Sequence, residues 1–253
     1  MKKKQKAIEI SKKLLRKVGK TNSEFSMIQE GDKVVLGLSG GKDSLMLAHL
    51  ILRTKRHAPF DFDFMAVTID YGMGEDFSDL IAHTKEYGIP HQIYKTEIYD
   101  IAQEKIRENS SYCSFFSRMR RGALSSATKK LGFNKLALGH HFDDAVETFF
   151  MNMFYNSTMR TLPPKYTAKD GIEIIRPLIQ VRERQLIDGA LKSELPLIGD
   201  DTCPAMRFDI KSPHARYDMK LKLKELEEQF PIMFDSINRA FKNFHLDSFF
   251  ITD

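Results

Sequence analysis

Residues 33–44 read KVVLGLSGGKDS, and no other stretch limits the fold as strongly. An apolar run of strand type enters two glycines, and the helical pattern DSLMLAHLILRTK (43–55) leaves them. A buried strand, a glycine turn and a helix in that order form a cradle for an anion. Gly40 and Gly41 let backbone N–H groups face one ligand without a Cβ in the way. Ser39 and Ser44 add hydroxyls, Lys42 adds a positive charge, and the helix N-terminus adds its dipole. Asp43 can cap that helix or offer carboxylate oxygens to magnesium. Two familiar phosphate loops are excluded. Counted from Gly37, Lys42 comes one place too early for G-x-x-x-x-G-K-[ST], and an aspartate follows it; G-x-G-x-x-G is also absent.

The same grammar continues along the chain. DFMAVTID (63–70) reads as a second strand, followed by helix 76–87, a short strand at 91–95 and a helix over 98–107. Then come a helix over 117–131, strand KLALG (135–139), helix 143–155, a short strand at 172–176 and helix 182–193. Apolar β runs alternating with amphipathic helices predict an α/β fold, a doubly wound parallel sheet. Residues 1–30 hold a basic helix (6–20), 31–195 the α/β domain, and 196–253 a C-terminal helical extension with helices 214–230 and 231–244. In such a sheet, ligands bind at the carboxyl ends of the strands. That rule marks Asp70, at the end of the second strand. It also marks LALGHHFDDAVET (136–148), with Gly139 close to a nucleotide and Asp143 and Asp144 at a helix start. The acidic pair reads either as helix capping or, through Asp143, as a magnesium ligand.

Charge and cysteine usage narrow the class further. The net charge of +5 and pI near 9.0 favour a polyanionic partner. Two cysteines ninety residues apart do not form a secreted disulfide framework. The basic start MKKKQKAIEISKK has no apolar core of a signal peptide, and no run approaches the roughly 18 apolar residues of a membrane span. A soluble, cytoplasmic protein is expected.

The motif SGGKDS resembles the PP-loop of the adenylating ATP pyrophosphatases. Taken together, SGGKDS, CSFFSRMRRG (113–122), LGHHFDDAVETFFMNMFY (138–155), MRTLPPK (159–165) and IRPL (175–178) resemble the tRNA 2-thiocytidine synthetases over residues 6–206. The resemblance implies an ATP- and Mg2+-dependent enzyme that adenylates O2 of cytidine 32 in tRNA and replaces that oxygen with sulfur. It implies Ser39, Gly40, Gly41, Lys42, Asp43 and Ser44 at the ATP phosphates, with Asp70, Gly139 and Asp143 nearby, and Lys42 and Asp43 in catalysis.

The family also holds a [4Fe–4S] cluster on three cysteines, two from a C-x-x-C and one from a later C-x-x-C. Here the first motif reads Cys113-Ser-Phe-Phe116 and the second Asp200-Asp-Thr-Cys203. A phenyl ring cannot ligate iron. Three readings stay open: Asp200 or Asp201 joins Cys113 and Cys203 at a cluster; the two cysteines act without iron, one carrying a persulfide and the other resolving it; or both are relics. Arg118, Arg120 and Arg121 face either tRNA or ATP phosphates, with 118 and 121 on one side of a helix. The implied partners are tRNA, a sulfur donor and a second copy of the chain in a homodimer. The alternatives are a PP-loop ligase that attaches nitrogen and a decayed ATP- or tRNA-binding protein.

Overall fold

The computed structural model describes residues 8–105, 112–197 and 215–250. The elements run α1 (Lys12–Phe25), β1 (Lys33–Gly37), α2 (Lys42–His57), β2 (Asp63–Asp70), α3 (Ser78–Tyr87), β3 (His91–Lys95), α4 (Ile98–Lys105) and α5 (Tyr112–Lys130). They continue with β4 (Lys135–Ala137), α6 (Phe142–Tyr155), β5 (Lys165–Thr167), β6 (Glu173–Ile175), α7 (Glu183–Lys192), α8 (Ala215–Gln229) and α9 (Met233–Ala240). Among the described residues no helix is long and apolar enough to cross a membrane.

The six strands are ordered β3-β2-β1-β4-β6-β5, and every pairing is parallel except β5 with β6. The predicted doubly wound sheet is therefore present. Its direction of winding reverses between β1 and β4, the neighbours on either side of the switch point. Val34, Val35 and Leu36 of β1 are fully buried, as a strand with helices on both faces requires. Each such side chain contributes about 1.5–3 kcal/mol relative to an exposed one.

Three differences from the sequence reading have clear local causes. Helix α1 starts later, at Lys12, because Ser11 caps it by accepting from the Leu14 N–H at 3.2 Å; Ser26, at φ 47°, ends it. Helix α5 starts earlier, at Tyr112, since no glycine or proline interrupts residues 112–121. The antiparallel edge strand β5 went unseen, because KYT is too short to carry a period.

At the amino edge of the sheet, buried Lys135 joins three neighbours. Its Nζ donates to Asp32 Oδ2 at 2.8 Å and to the Met27 carbonyl at 2.8 Å, and it pairs with Glu173 Oε2 at 2.9 Å. Burial would raise the Asp32 carboxyl, but hydrogen bonds from Lys135, Asn134 and the Gln29 N–H overcome that and hold it below its ordinary value.

Among the described residues the chain forms two compact units. The first holds residues up to Phe142 together with 163–197, and the second holds 143–162 together with 215–250. The sheet and its flanking helices lie in the first unit. In the second, Arg216 of α8 reaches α6, with Nη1 3.4 Å from Asp144 Oδ1 and 3.2 Å from Glu147 Oε2, and Nη2 3.3 Å from Thr148 Oγ1. Phe149 of α6 also meets Phe241 edge-on at 5.3 Å.

Candidate active site

The loop between β1 and α2 is organised by its own serines. Gly40 has φ +82°, a left-handed conformation that glycine adopts without strain. Ser44 Oγ donates to the Gly41 carbonyl at 2.9 Å and accepts from the Ser39 N–H at 3.1 Å, and the two hydroxyl oxygens lie 3.1 Å apart. Gly41 is the N-cap of α2, and no side chain caps that helix. Its first-turn N–H groups thus offer donors and a positive dipole end to an anion.

Lys42 lies at the first position of α2. Its Nζ donates to Glu183 Oε1 at 2.8 Å and lies 3.3 Å from Asp43 Oδ2. Burial alone would depress the ammonium, yet the Glu183 hydrogen bond and the two carboxylate charges hold its pKa above the ordinary lysine value. The lysine is therefore a firm cation at the mouth of the loop.

The turn after β4 completes this edge. A Cβ on Gly139 would lie 3.3 Å from the Ser44 nitrogen and 3.4 Å from the Asp43 carbonyl carbon, tighter than most real contacts. This glycine lets the β4 turn close onto the start of α2. Next to it, His141 Nε2 stands 3.8 Å from Asp43 Oδ2, and buried Arg176 donates through Nε to His140 Nδ1 at 3.3 Å. Arg176 also donates to the Pro163 carbonyl at 2.6 Å and covers the Tyr166 ring at 5.3 Å. Asp70 ends β2 as expected, its Oδ1 accepting from the Gly72 N–H at 2.9 Å.

Sequence reasoning missed Glu183 and Arg176 as site neighbours. Glu183 lies 141 residues from Lys42, and only the packing of α7 brings it there. The single local signal was Arg176-Pro177, in the IRPL segment.

This geometry agrees with the comparisons. A family model described as a PP-loop domain matches residues 9–211. The tRNA-cytidine(32) 2-sulfurtransferase of Geobacter metallireducens is 41% identical over 234 residues, covering 92% of this chain and 90% of its own. That of Shewanella denitrificans is 37% identical over 239 residues, covering 93% of this chain and 72% of its own. The chain belongs to the tRNA-cytidine(32) 2-sulfurtransferase family. Among solved structures, the U34-tRNA thiolase NcsA from Methanococcus maripaludis, determined with its [4Fe–4S] cluster, superposes with a TM-score of 0.73. It covers 91% of this chain and 77% of its own at 24% identity, a likeness of fold.

The sulfurtransferase family reading makes the start of α5 important. Helix α5 feeds β4, so it runs antiparallel to the parallel strands and its amino end points to their carboxyl edge. Leu124 packs against Gly37, the last residue of β1; a Cβ there would meet it at 3.0 Å. The twelve residues from Leu124 back to Tyr112 span roughly 18 Å of helix past that strand end. Cys113 thus belongs to the first turn of a helix whose amino half overhangs the edge where the PP-loop lies. Cys203, Asp200 and Asp201 lie outside the described residues.

Phe116 stands where the sulfurtransferase family pattern would place a second thiolate. It is 4% exposed and belongs to the core cluster with Val35, Val67, Ile69 and Leu124. Its ring meets Tyr71 edge-on at 6.2 Å and Phe115 at 5.7 Å. Position 116 therefore carries core packing and offers no iron ligand; a three-thiolate site does not fit it.

Proposed function

We propose that the chain is an ATP-dependent tRNA sulfurtransferase acting on the pyrimidine O2 of cytidine 32. The supporting observation is the convergence on one sheet edge of an uncapped helix N-terminus, a charged Lys42 and the cysteine-bearing amino half of α5. In this reading the nucleotide oxygen attacks the α-phosphorus of ATP and pyrophosphate leaves. Lys42 and the loop N–H groups bind that leaving group and stabilise the charge developing on it. Asp43 offers the hard carboxylate oxygen that Mg2+ requires. The outer sulfur of a cysteine persulfide, loaded by the external sulfur donor, then attacks the activated carbon and AMP leaves. The second cysteine attacks the carrier sulfur, releasing the thiolated base and leaving a Cys113–Cys203 disulfide that an external dithiol reductant reopens.

Sulfur delivery is assigned to Cys113 and Cys203. The packing of Phe116 supports a two-thiol route over a three-thiolate cluster, and no step here passes through iron. The sulfur donor comes from outside the chain, tRNA is the substrate, the enzyme works in the cytoplasm, and a homodimer is the proposed assembly.

Mass spectrometry of tRNA nucleosides from a deletion strain tests the reading. Loss of 2-thiocytidine, restored by the wild-type gene and not by Lys42→Ala, is expected. Unchanged 2-thiocytidine in the deletion strain overturns it.

A further inference from the structure

The exposed face of α5 carries a glycine that no contact among the described residues explains. Gly122 lies inside the helix, where glycine is disfavoured relative to alanine. Its backbone is not left-handed, and among the described residues nothing lies within 4 Å of where its Cβ would be. Among the described residues, neither conformation nor internal packing calls for it.

Its neighbours on the helix are cations. At 100° per residue, Arg118, Arg121 and Gly122 share one face, opposite buried Phe116, Leu124 and Ala127. Arg118, Arg121 and Gly122 are all exposed. The nineteen residues of α5 include Arg118, Arg120, Arg121, Lys129 and Lys130 and no acid. Toward the carboxyl end the face is closed by Asp170, whose Oδ2 accepts from Ser125 Oγ at 2.5 Å and faces the charge of Lys129. Among the described residues, the part without a compensating acid is therefore the overhanging half, beside the adenylation edge.

We infer that Arg118, Gly122 and Arg121 form the seat for the sugar–phosphate backbone of the RNA substrate, with Gly122 as the point of closest approach. A bare stretch of helix backbone flanked by two arginines on the same face lets a ribose–phosphate unit come to van der Waals distance, while the arginines neutralise neighbouring phosphates. A side chain at 122 would hold the strand away from both. This assignment rests on the tRNA-thiolation reading and adds to it where the substrate lies.

The test is tRNA binding by the full chain, followed by fluorescence anisotropy at several salt concentrations. Gly122→Leu should weaken binding by about tenfold, and Gly122→Ala by less. Because alanine is the better helix former, Gly122→Ala should also raise Tm by roughly 2–4 °C, so its weaker binding is not loss of fold. Arg118→Gln with Arg121→Gln should reduce the slope of log affinity against log salt by about 1.4–1.8. Wild-type affinity in both glycine variants, or an unchanged slope in the arginine variant, overturns the seat while leaving the enzyme reading intact. If wild-type protein neither binds tRNA nor forms pyrophosphate with it, both fall together. If the variants lose affinity for polyglutamate and not for tRNA, the face serves an acidic protein and the inference is wrong.

Discussion

The ammonium of Lys42 is held 2.8 Å from Glu183 Oε1, a carboxylate whose side chain is only 13% exposed. A pyrophosphate moiety bound by Lys42 must take over from that carboxylate. Glu183→Gln keeps the shape and removes the competing charge, so the KM for ATP should fall by roughly fivefold, equivalent to about 1 kcal/mol. Lys42→Ala should instead abolish tRNA-dependent pyrophosphate release. Steady-state pyrophosphate assays separate the two; an unchanged KM in Glu183→Gln denies the exchange of partners.

Lys135 is expected to matter for stability and not for chemistry. Lys135→Ala would leave Asp32 and Glu173 at the amino edge without their shared cation. Breaking a buried pair from one side costs about 3–5 kcal/mol, which a urea titration would read as a lower midpoint. The Asp32 pKa is depressed in the folded state, so its contribution is present above the ordinary value of 3.8 and lost as pH falls through the folded value. In Lys135→Ala, loss of stability on acidification from this group should shrink, because only the Asn134 and Gln29 hydrogen bonds then favour its carboxylate. A variant as stable as wild type contradicts the assignment.

A buried histidine pair predicts a second, milder acid sensitivity. His49 Nε2 lies 2.8 Å from His83 Nε2, and Tyr87 packs edge-on against His49 at 4.8 Å. Burial first, then the charges of His83 and Arg56, lower the His49 pKa from 6.5 to about 3; burial also lowers His83. Both imidazoles are thus held neutral in the fold and free to protonate when unfolded. Their stabilisation is complete above pH 6.5 and declines as pH falls below it, by at most about 1.4 kcal/mol per pH unit for each group. Urea unfolding at pH 7.5, 6.0 and 5.0 should show this decline, and His49→Gln should flatten it. Parallel pH profiles in both proteins would assign the decline elsewhere.

Phe116 should behave as a core residue and not as a vacant ligand position. Phe116→Ala is expected to cost about 3–5 kcal/mol, and Phe116→Leu, which better preserves the apolar volume, about 1.5 kcal/mol or less. Anaerobic reconstitution with iron and sulfide should leave the wild-type chain far below four irons. Cys113→Ala and Cys203→Ala should each abolish thiolation. Four irons per chain, lost in either cysteine variant and weakened in Asp200→Ala, would instead favour a cluster completed by a carboxylate.

Local sequence was enough to specify the strand–loop–helix of the phosphate site, the parallel winding of the sheet and the divergence at Phe116. These properties reside in contiguous residues: apolar runs of strand length, two adjacent glycines, and a side chain whose chemistry cannot ligate iron. Strand β5 escaped because three residues at an antiparallel edge have no period to read. The Glu183 partner of Lys42, the support of His140 by Arg176 and the closeness of Gly139 to Ser44 were decided only by tertiary structure. Each joins residues far apart in the chain, and packing across the switch point between β1 and β4 determines which of them meet. The exposure of Gly122 is of the same kind: glycine in a sequence reads as a turn, and only a helix with its other face buried in a core turns it into a bare surface beside a site.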